Sequence, residues 1–135
     1  MFLVDTNVWL ELLLLREKAD DVRNFFHQTD ARSLALSEFS LYSIGVILTK
    51  LNKGDLFEEF LSDVIVDSRV LRIRLTAEQL KQAVAAMRKF KIDFDDAYQY
   101  VAAVNNGYTL ISFDKDFDRT GIRKTPKQVL QKRKK

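Results

Sequence analysis

Short apolar segments that alternate with longer amphipathic ones predict an α/β domain of three layers, with a short, mostly parallel central sheet flanked by helices. Three observations carry this reading. Four brief apolar stretches recur along the chain, each separated from the next by helical patterning of about ten residues or more. Hydrophobic residues make up 47% of 135 positions, enough for one real core. The only proline is Pro126, and no linker or repeat interrupts what precedes it. The organisation expected is one domain over residues 1–125 and a basic tail over residues 126–135.

The elements follow in order. Phe2-Leu3-Val4 reads as a buried strand that ends at Asp5, and a helix follows through residues 8–15 with Asp5 or Thr6 as its cap. Val22, Phe25 and Phe26 form an i, i+3, i+4 face on a second helix over residues 20–28. Residues 33–36 are a second strand, Ser37 caps a long helix from Glu38 to Leu51, and Asn52-Lys53-Gly54 ends it. Residues 55–65 are helical, and 69–73 are a third strand. Thr76 and Gln79 form a capping box that opens a helix to Phe90. Asp93 leads into a helix closed by Gly107, and residues 109–112 make a fourth strand before the acidic turn Asp114-Lys115-Asp116.

Charge is divided unevenly. Residues 119–135 hold eight Lys or Arg and no acid, whereas residues 1–118 hold 14 bases against 19 acids. A basic end on an acidic body suits a polyanionic partner, because cationic side chains release condensed counterions from phosphates. Cysteine is absent, so disulfides and thiolate metal sites are excluded. No apolar run reaches the roughly 20 residues of a membrane span, and the N-terminus lacks a signal-peptide pattern. A soluble, cytoplasmic protein is expected.

The acids fall where a parallel sheet gathers its ligands. Asp5 follows the first strand, Glu38 comes two residues after the second, and Asp114 comes two residues after the fourth. Such positions converge on the crevice beyond the carboxyl ends of the strands. Asp96, in the first turn of the helix feeding the fourth strand, joins from the side. Clustered carboxylates repel one another unless a cation neutralises them. An all-oxygen set suits Mg²⁺ or Mn²⁺, whose chemistry is phosphodiester hydrolysis. Taken singly each acid has an ordinary structural role, as a helix cap, a dipole partner or a turn residue.

These residues are the ones by which the chain resembles the PIN-domain nucleases, in particular the toxin subunits of VapBC toxin–antitoxin pairs. Phe2-Leu3-Val4-Asp5-Thr6-Asn7-Val8 is similar to the family's first strand and first catalytic aspartate. Leu36-Ser37-Glu38-Phe39 resembles the second-acid motif, and Asp93-Phe94-Asp95-Asp96-Ala97 the third. Ile111-Ser112-Phe113-Asp114-Lys115-Asp116-Phe117 resembles the fourth, with Asp116 as an accessory acid. The resemblance runs from residue 2 to about residue 121. It implies a Mg²⁺- or Mn²⁺-dependent endoribonuclease acting on single-stranded or loop RNA. It implies Asp5, Glu38, Asp96 and Asp114 as catalytic and, with Asp116, metal-holding residues. It also implies a homodimer and often a cognate antitoxin.

Thr6, Asn7 and Ser112 would orient the carboxylates; the family more often has threonine where this chain has Ser112. Arg119, Arg123 and Lys124 follow the acidic turn and are the candidates for holding RNA phosphates. His27 is the sole histidine, at a helix end, and Trp9 reads as core or dimer interface. A phosphatase that uses an aspartate nucleophile needs a second aspartate two residues on, where Asn7 stands. Two further alternatives are an RNA-processing nuclease of the same fold without an antitoxin and a non-catalytic binding module.

Overall fold

The first strand lies at the middle of the sheet. In a computed structural model of the chain, which describes residues 1–133, the strands are β1 (Phe2–Val4), β2 (Leu34–Ser37), β3 (Leu71–Ile73), β4 (Thr109–Ile111) and β5 (Arg123–Lys124). They form one sheet in the order β3-β2-β1-β4-β5, and every pairing is parallel. From β1 the chain builds outward to β2 and β3, then returns to add β4 and β5 on the other side. The strand order therefore reverses between β1 and β4, where Val4 is in register with Ile111. Open parallel sheets bind ligands beyond the strand ends at such a reversal.

Alternation along the strands sends side chains to two separate layers. Val4, Leu34, Leu36 and Ile111 face one core, built with helices α1 (Thr6–Leu13), α2 (Ala19–His27), α3 (Glu38–Lys50) and α4 (Gly54–Phe60). Leu3, Ala35 and Leu110 face the other, built with α5 (Ala77–Phe90) and α6 (Phe94–Asn106). The three-layer arrangement follows. Trp9, Phe25 and Phe60 are buried in the first core, and Trp9 stacks on Phe26 at 4.7 Å between ring centroids. The Trp9 indole N–H donates to the Val4 carbonyl at 3.2 Å, which satisfies its one polar atom.

The helices begin and end where the sequence expects. Thr76 and Gln79 form the capping box of α5, and Gly107, at φ +69°, closes α6 in the left-handed region that glycine adopts without strain. Glycine inside α3 has another cause. A Cβ on Gly45 would stand 2.8 Å from the Phe57 ring, so the missing side chain lets α3 and α4 meet.

Three features depart from the patterned expectation. The segment after α4 continues as a π-helical turn, Leu61–Val66. A 3₁₀ helix, Lys115–Thr120, follows the acidic turn. The fifth strand lies within the basic stretch: Leu110 N–H donates to the Ile122 carbonyl at 3.3 Å and Ser112 N–H to the Lys124 carbonyl at 3.1 Å, which uses the free edge of β4. Beyond it Pro126 opens helix α7 (Pro126–Arg133), whose Val129 is buried in the α1–α4 core. Lys134 and Lys135, the end of the expected basic tail, lie outside the described residues. Among the described residues no helix is long and apolar enough to cross a membrane.

Candidate metal centre at the carboxyl edge of the sheet

Asp5 is the first residue beyond β1, and its backbone N–H prolongs the ladder by donating to the Ile111 carbonyl at 2.9 Å. It also caps α1, accepting from Thr6 N–H at 2.8 Å on Oδ1. Asp114 likewise caps the 3₁₀ helix, accepting from Asp116 N–H at 2.9 Å. Capping and membership of the site are thus compatible: both capping residues, Asp5 and Asp114, also line one cleft. Asp96 projects from the first turn of α6, where the helix dipole favours a negative charge.

Asp5, Thr6, Asn7, Asp95, Asp96, Gln99 and Asp114 line one cleft of about 350 Å³, closed on its apolar side by Leu10, Phe39, Ser43 and Ile47. Carboxylate oxygens of Asp96, Asp114 and Asp116 come within 4.8 Å of one another.

A polar net holds Asp5 from behind. Ser112 Oγ donates to its Oδ2 at 2.7 Å and Gln99 Nε2 to its Oδ1 at 2.8 Å, both buried. Asn7 Nδ2 reaches Oδ2 at 3.4 Å and Ser112 Oγ at 3.3 Å, while Asn7 Oδ1 accepts from Phe113 N–H at 3.2 Å. Thr6 Oγ1 donates to Ser40 Oγ at 2.8 Å, and Ser40 accepts Gln99 Nε2 as well, at 2.7 Å. Ser112 Oγ also accepts from Asp114 N–H at 3.0 Å, so one hydroxyl ties two of the acids together. Gln99 and Ser40 carried no motif in the sequence. The available signal was spacing: Gln99 lies three residues after Asp96, on the same face of α6.

The electrostatics of the cleft are one-sided. Among the described residues, none that lines it is Lys or Arg. Burial pushes the Asp5 carboxyl above its usual range, opposed by the hydrogen bonds from Gln99, Ser112 and Thr6. Asp96 is pushed up to about 7, first by burial and then by the charges of Asp114, Asp95, Asp5 and Asp116. Such a set needs protons or a cation to be neutral. A hard divalent ion fits the donors: the carboxylate oxygens converge, and neither sulfur nor imidazole is among them.

Glu38 stands elsewhere. Its carboxylate accepts a hydrogen bond from the Tyr42 hydroxyl and lies 3.7 Å from Arg74 Nε, in a second cleft on the far side of Phe39. Like Asp5, it lies outside the group formed by Asp96, Asp114 and Asp116, whose carboxylate oxygens come within 4.8 Å of one another. The basic candidates are also engaged. Arg123 grips Asp118 with Nε at 2.8 Å and Nη2 at 3.1 Å and donates through Nη1 to the Ser112 carbonyl at 3.2 Å. Arg119 donates to the Lys91 carbonyl at 2.8 Å, and Lys124 sits in β5. None of the three lines the acidic cleft.

A parallel sheet with an acidic cleft at its strand-order reversal defines the class, and the chain belongs to the PIN-domain family: the family model of the PIN domain matches residues 2–123. Solved structures extend the likeness. One is VapC20 of Mycobacterium tuberculosis, described as a Sarcin-Ricin loop cleaving toxin, with a TM-score of 0.79 and 17% identity over 90% of this chain and 96% of that one. A toxin–antitoxin complex from Klebsiella pneumoniae gives a TM-score of 0.74 and 21% identity over 93% and 98% of the two chains. VapBC2 from Rickettsia felis, bound to a DNA fragment from its promoter, gives 0.72 and 17% over 92% and 97%. At these identities the likeness establishes the fold. A comparison with curated proteins finds no match.

Proposed function

We propose that the chain is a cytoplasmic metal-dependent endoribonuclease, the toxin of a toxin–antitoxin pair, with Mg²⁺ or Mn²⁺ held by Asp5, Asp96, Asp114 and Asp116. The observation that carries this reading is the convergence of the Asp96, Asp114 and Asp116 carboxylates within 4.8 Å of one another, beside a cleft lined by Asp96, Asp114 and buried Asp5 and, among the described residues, by no Lys or Arg. Bound there, the ion supplies a Lewis acid for the phosphoryl group and lowers the pKa of water toward neutrality.

The chain's own residues prepare that chemistry. Gln99 and Ser112 donate to Asp5 and favour its ionised form against the cost of burial. Ser112, through its second bond to Asp114 N–H, fixes the spacing between two of the ligands. Asp96, whose pKa is pushed up to about 7 by burial and its neighbours' charges, would hold the cation in its ionised form. The apolar wall of Leu10, Phe39 and Ile47 limits water on one side of the cleft.

Support for the antitoxin comes from the complexes among the structural relatives. An apolar strip on α3, where Tyr42 and Val46 are exposed beside Phe39, Ser43 and Ile47, offers surface for it or for a second copy of the chain. The test is incubation of end-labelled single-stranded and hairpin RNA with Mn²⁺, Mg²⁺ or EDTA, beside Asp5→Asn. Cleavage that needs the ion and is lost in the variant supports the reading. Cleavage in EDTA, or at the wild-type rate in Asp5→Asn, overturns it.

A further inference from the structure

Among the described residues the acidic cleft offers a polyanion no lining cation, and Arg119, Arg123 and Lys124 stand outside it. A further cation is tied to the residue between Ser112 and Asp114. Lys18, in the turn between α1 and α2, holds its Nζ 4.8 Å from the centre of the Phe113 ring. We infer that Lys18 is a phosphate-binding residue, gripping the RNA strand beside the phosphate held at the aspartates. The inference rests on the reading of the chain as an RNA-cutting enzyme and deepens it by naming a substrate contact.

The turn fixes where this lysine stands. Leu14 N–H donates to the carbonyl of Leu10, a residue of the acidic cleft, at 2.9 Å. Leu15 then enters the left-handed region at φ +51°, while 73% exposed, which leaves little packing to offset the strain. Arg16 N–H donates to the Glu11 carbonyl at 2.9 Å, and the Glu11 carboxylate accepts from Lys18 N–H at 2.9 Å. Helix α2 has no use for a lysine at this point. Lys18 is its N-cap, yet the side chain makes no capping bond, and a cation there opposes the helix dipole. Nor is the ammonium paired: none of the ion pairs among the described residues includes it.

The Phe113 ring joins that lysine to the site. Phe113 N–H donates to Asn7 Oδ1 at 3.2 Å, and Asn7 Nδ2 reaches Asp5 Oδ2 at 3.4 Å. Asp114 is the next residue, so the ring and one peptide step keep the Lys18 ammonium within about 12 Å of the Asp114 Cα. A nucleic-acid strand carries a phosphate every few ångströms along its path, so one phosphate reaches Lys18 while another lies at the aspartates. The kind of partner matters as well. A ring face holds an ammonium in place without neutralising it, and its three donors are not consumed by a carboxylate. Lys18 is thus positioned and still charged, which is what a phosphate contact requires.

The test is the fluorescence anisotropy of a labelled single-stranded RNA oligonucleotide titrated with the full chain in EDTA, from about 50 to 200 mM salt. The proteins are wild type, Lys18→Gln, Lys18→Arg and Lys50→Gln. EDTA withholds the ion, so binding reads the side chains alone. Lys18→Gln should bind about three- to tenfold more weakly at the lowest salt. It should also reduce the slope of log affinity against log salt by about 0.7, the share of one phosphate contact on a single strand. Lys18→Arg keeps affinity and slope, and Lys50→Gln, in the last turn of α3, changes neither. Lys18→Gln retains the backbone bond to Glu11, and a purely structural role would leave the slope alone. No RNA binding by the wild type, a slope that Lys18→Gln leaves unchanged, or one that Lys50→Gln lowers as much, overturns the assignment. Because no cut is read, the result is separate from the nuclease test. Cleavage with an unchanged slope removes only Lys18, and a Lys18-dependent slope without cleavage removes only the nuclease.

Discussion

Gln99 Nε2 lies 2.8 Å from Asp5 Oδ1, joining the helix α6 to the end of β1 across 94 residues of sequence. The contact is buried, and the same amide nitrogen reaches Ser40 Oγ at 2.7 Å. The amide oxygen Oε1 is buried with no hydrogen-bond partner among the described residues. Its two donations tie α6 both to Ser40 and to Asp5, the most buried acid of the cleft.

Gln99→Leu therefore separates folding from function. It removes a bond that favours the ionised form of Asp5, but it also removes an unsatisfied buried oxygen, so the effects on stability oppose each other. The expected change in unfolding free energy is within about 1 kcal/mol, with a loss of about 10- to 100-fold in Mn²⁺ affinity at neutral pH. Chemical denaturation and metal titration of the same preparation check both. Unchanged Mn²⁺ affinity would show that Gln99 has no part in positioning Asp5.

The acids also set how stability depends on pH. Asp96 has its pKa raised from 3.8 to about 7 in the folded chain. Between about pH 4 and pH 7 the metal-free folded state thus keeps a proton that the unfolded state has released. Stability from this group is greatest at the acid end of the window, is lost as pH rises through it, and is flat above. Asp96→Asn removes the effect. Without metal, its melting temperature should exceed the wild type's by about 2–6 °C at pH 7.5, with the gap closing toward pH 4. A gap that widens toward acid would give the shift the opposite sign.

Packing supplies a prediction independent of the site. A Cβ on Gly45 would meet the Phe57 ring at 2.8 Å. Gly45→Val should cost about 1–3 kcal/mol in chemical denaturation, as α3 is pushed from α4. Gly45→Val with Phe57→Leu should recover part of it, because the shorter side chain vacates the far end of the ring. No recovery would mean that the ring is not the obstacle.

Which parts of this were legible in the sequence follows from what each part depends on. Strands β1, β2 and β4 and the major helices announce themselves by local apolar period and by caps such as Thr76 with Gln79. β5 does not, because two half-buried basic residues form a strand only by borrowing the edge of β4. Asp5 and Asp114 were predictable because strand ends converge at a fixed edge of a parallel sheet, and Asp96 because the first turn of the helix that feeds β4 borders the same edge. Glu38 obeys the same strand-end rule, yet as the first residue of α3 its carboxylate is drawn to Tyr42 one helical turn on and to Arg74 beyond β3. Direction, unlike position, depends on neighbours distant in sequence. Gln99 was hidden for the complementary reason: a glutamine between two tyrosines carries no local signature, and its role exists only once α6 lies against β1.

The most direct measurement for the whole account is a calorimetric Mn²⁺ titration of wild type, Asp96→Asn and Asp114→Asn at pH 7.5. The account predicts saturable binding by the wild type and at least about a tenfold weaker affinity in each variant, since each loses a charged ligand of the ion. Proton release on binding, seen as a dependence of the measured heat on the buffer, should fall in Asp96→Asn. Absence of saturable binding by the wild type, or affinities that both substitutions leave unchanged, would contradict the claim that these aspartates hold a divalent cation.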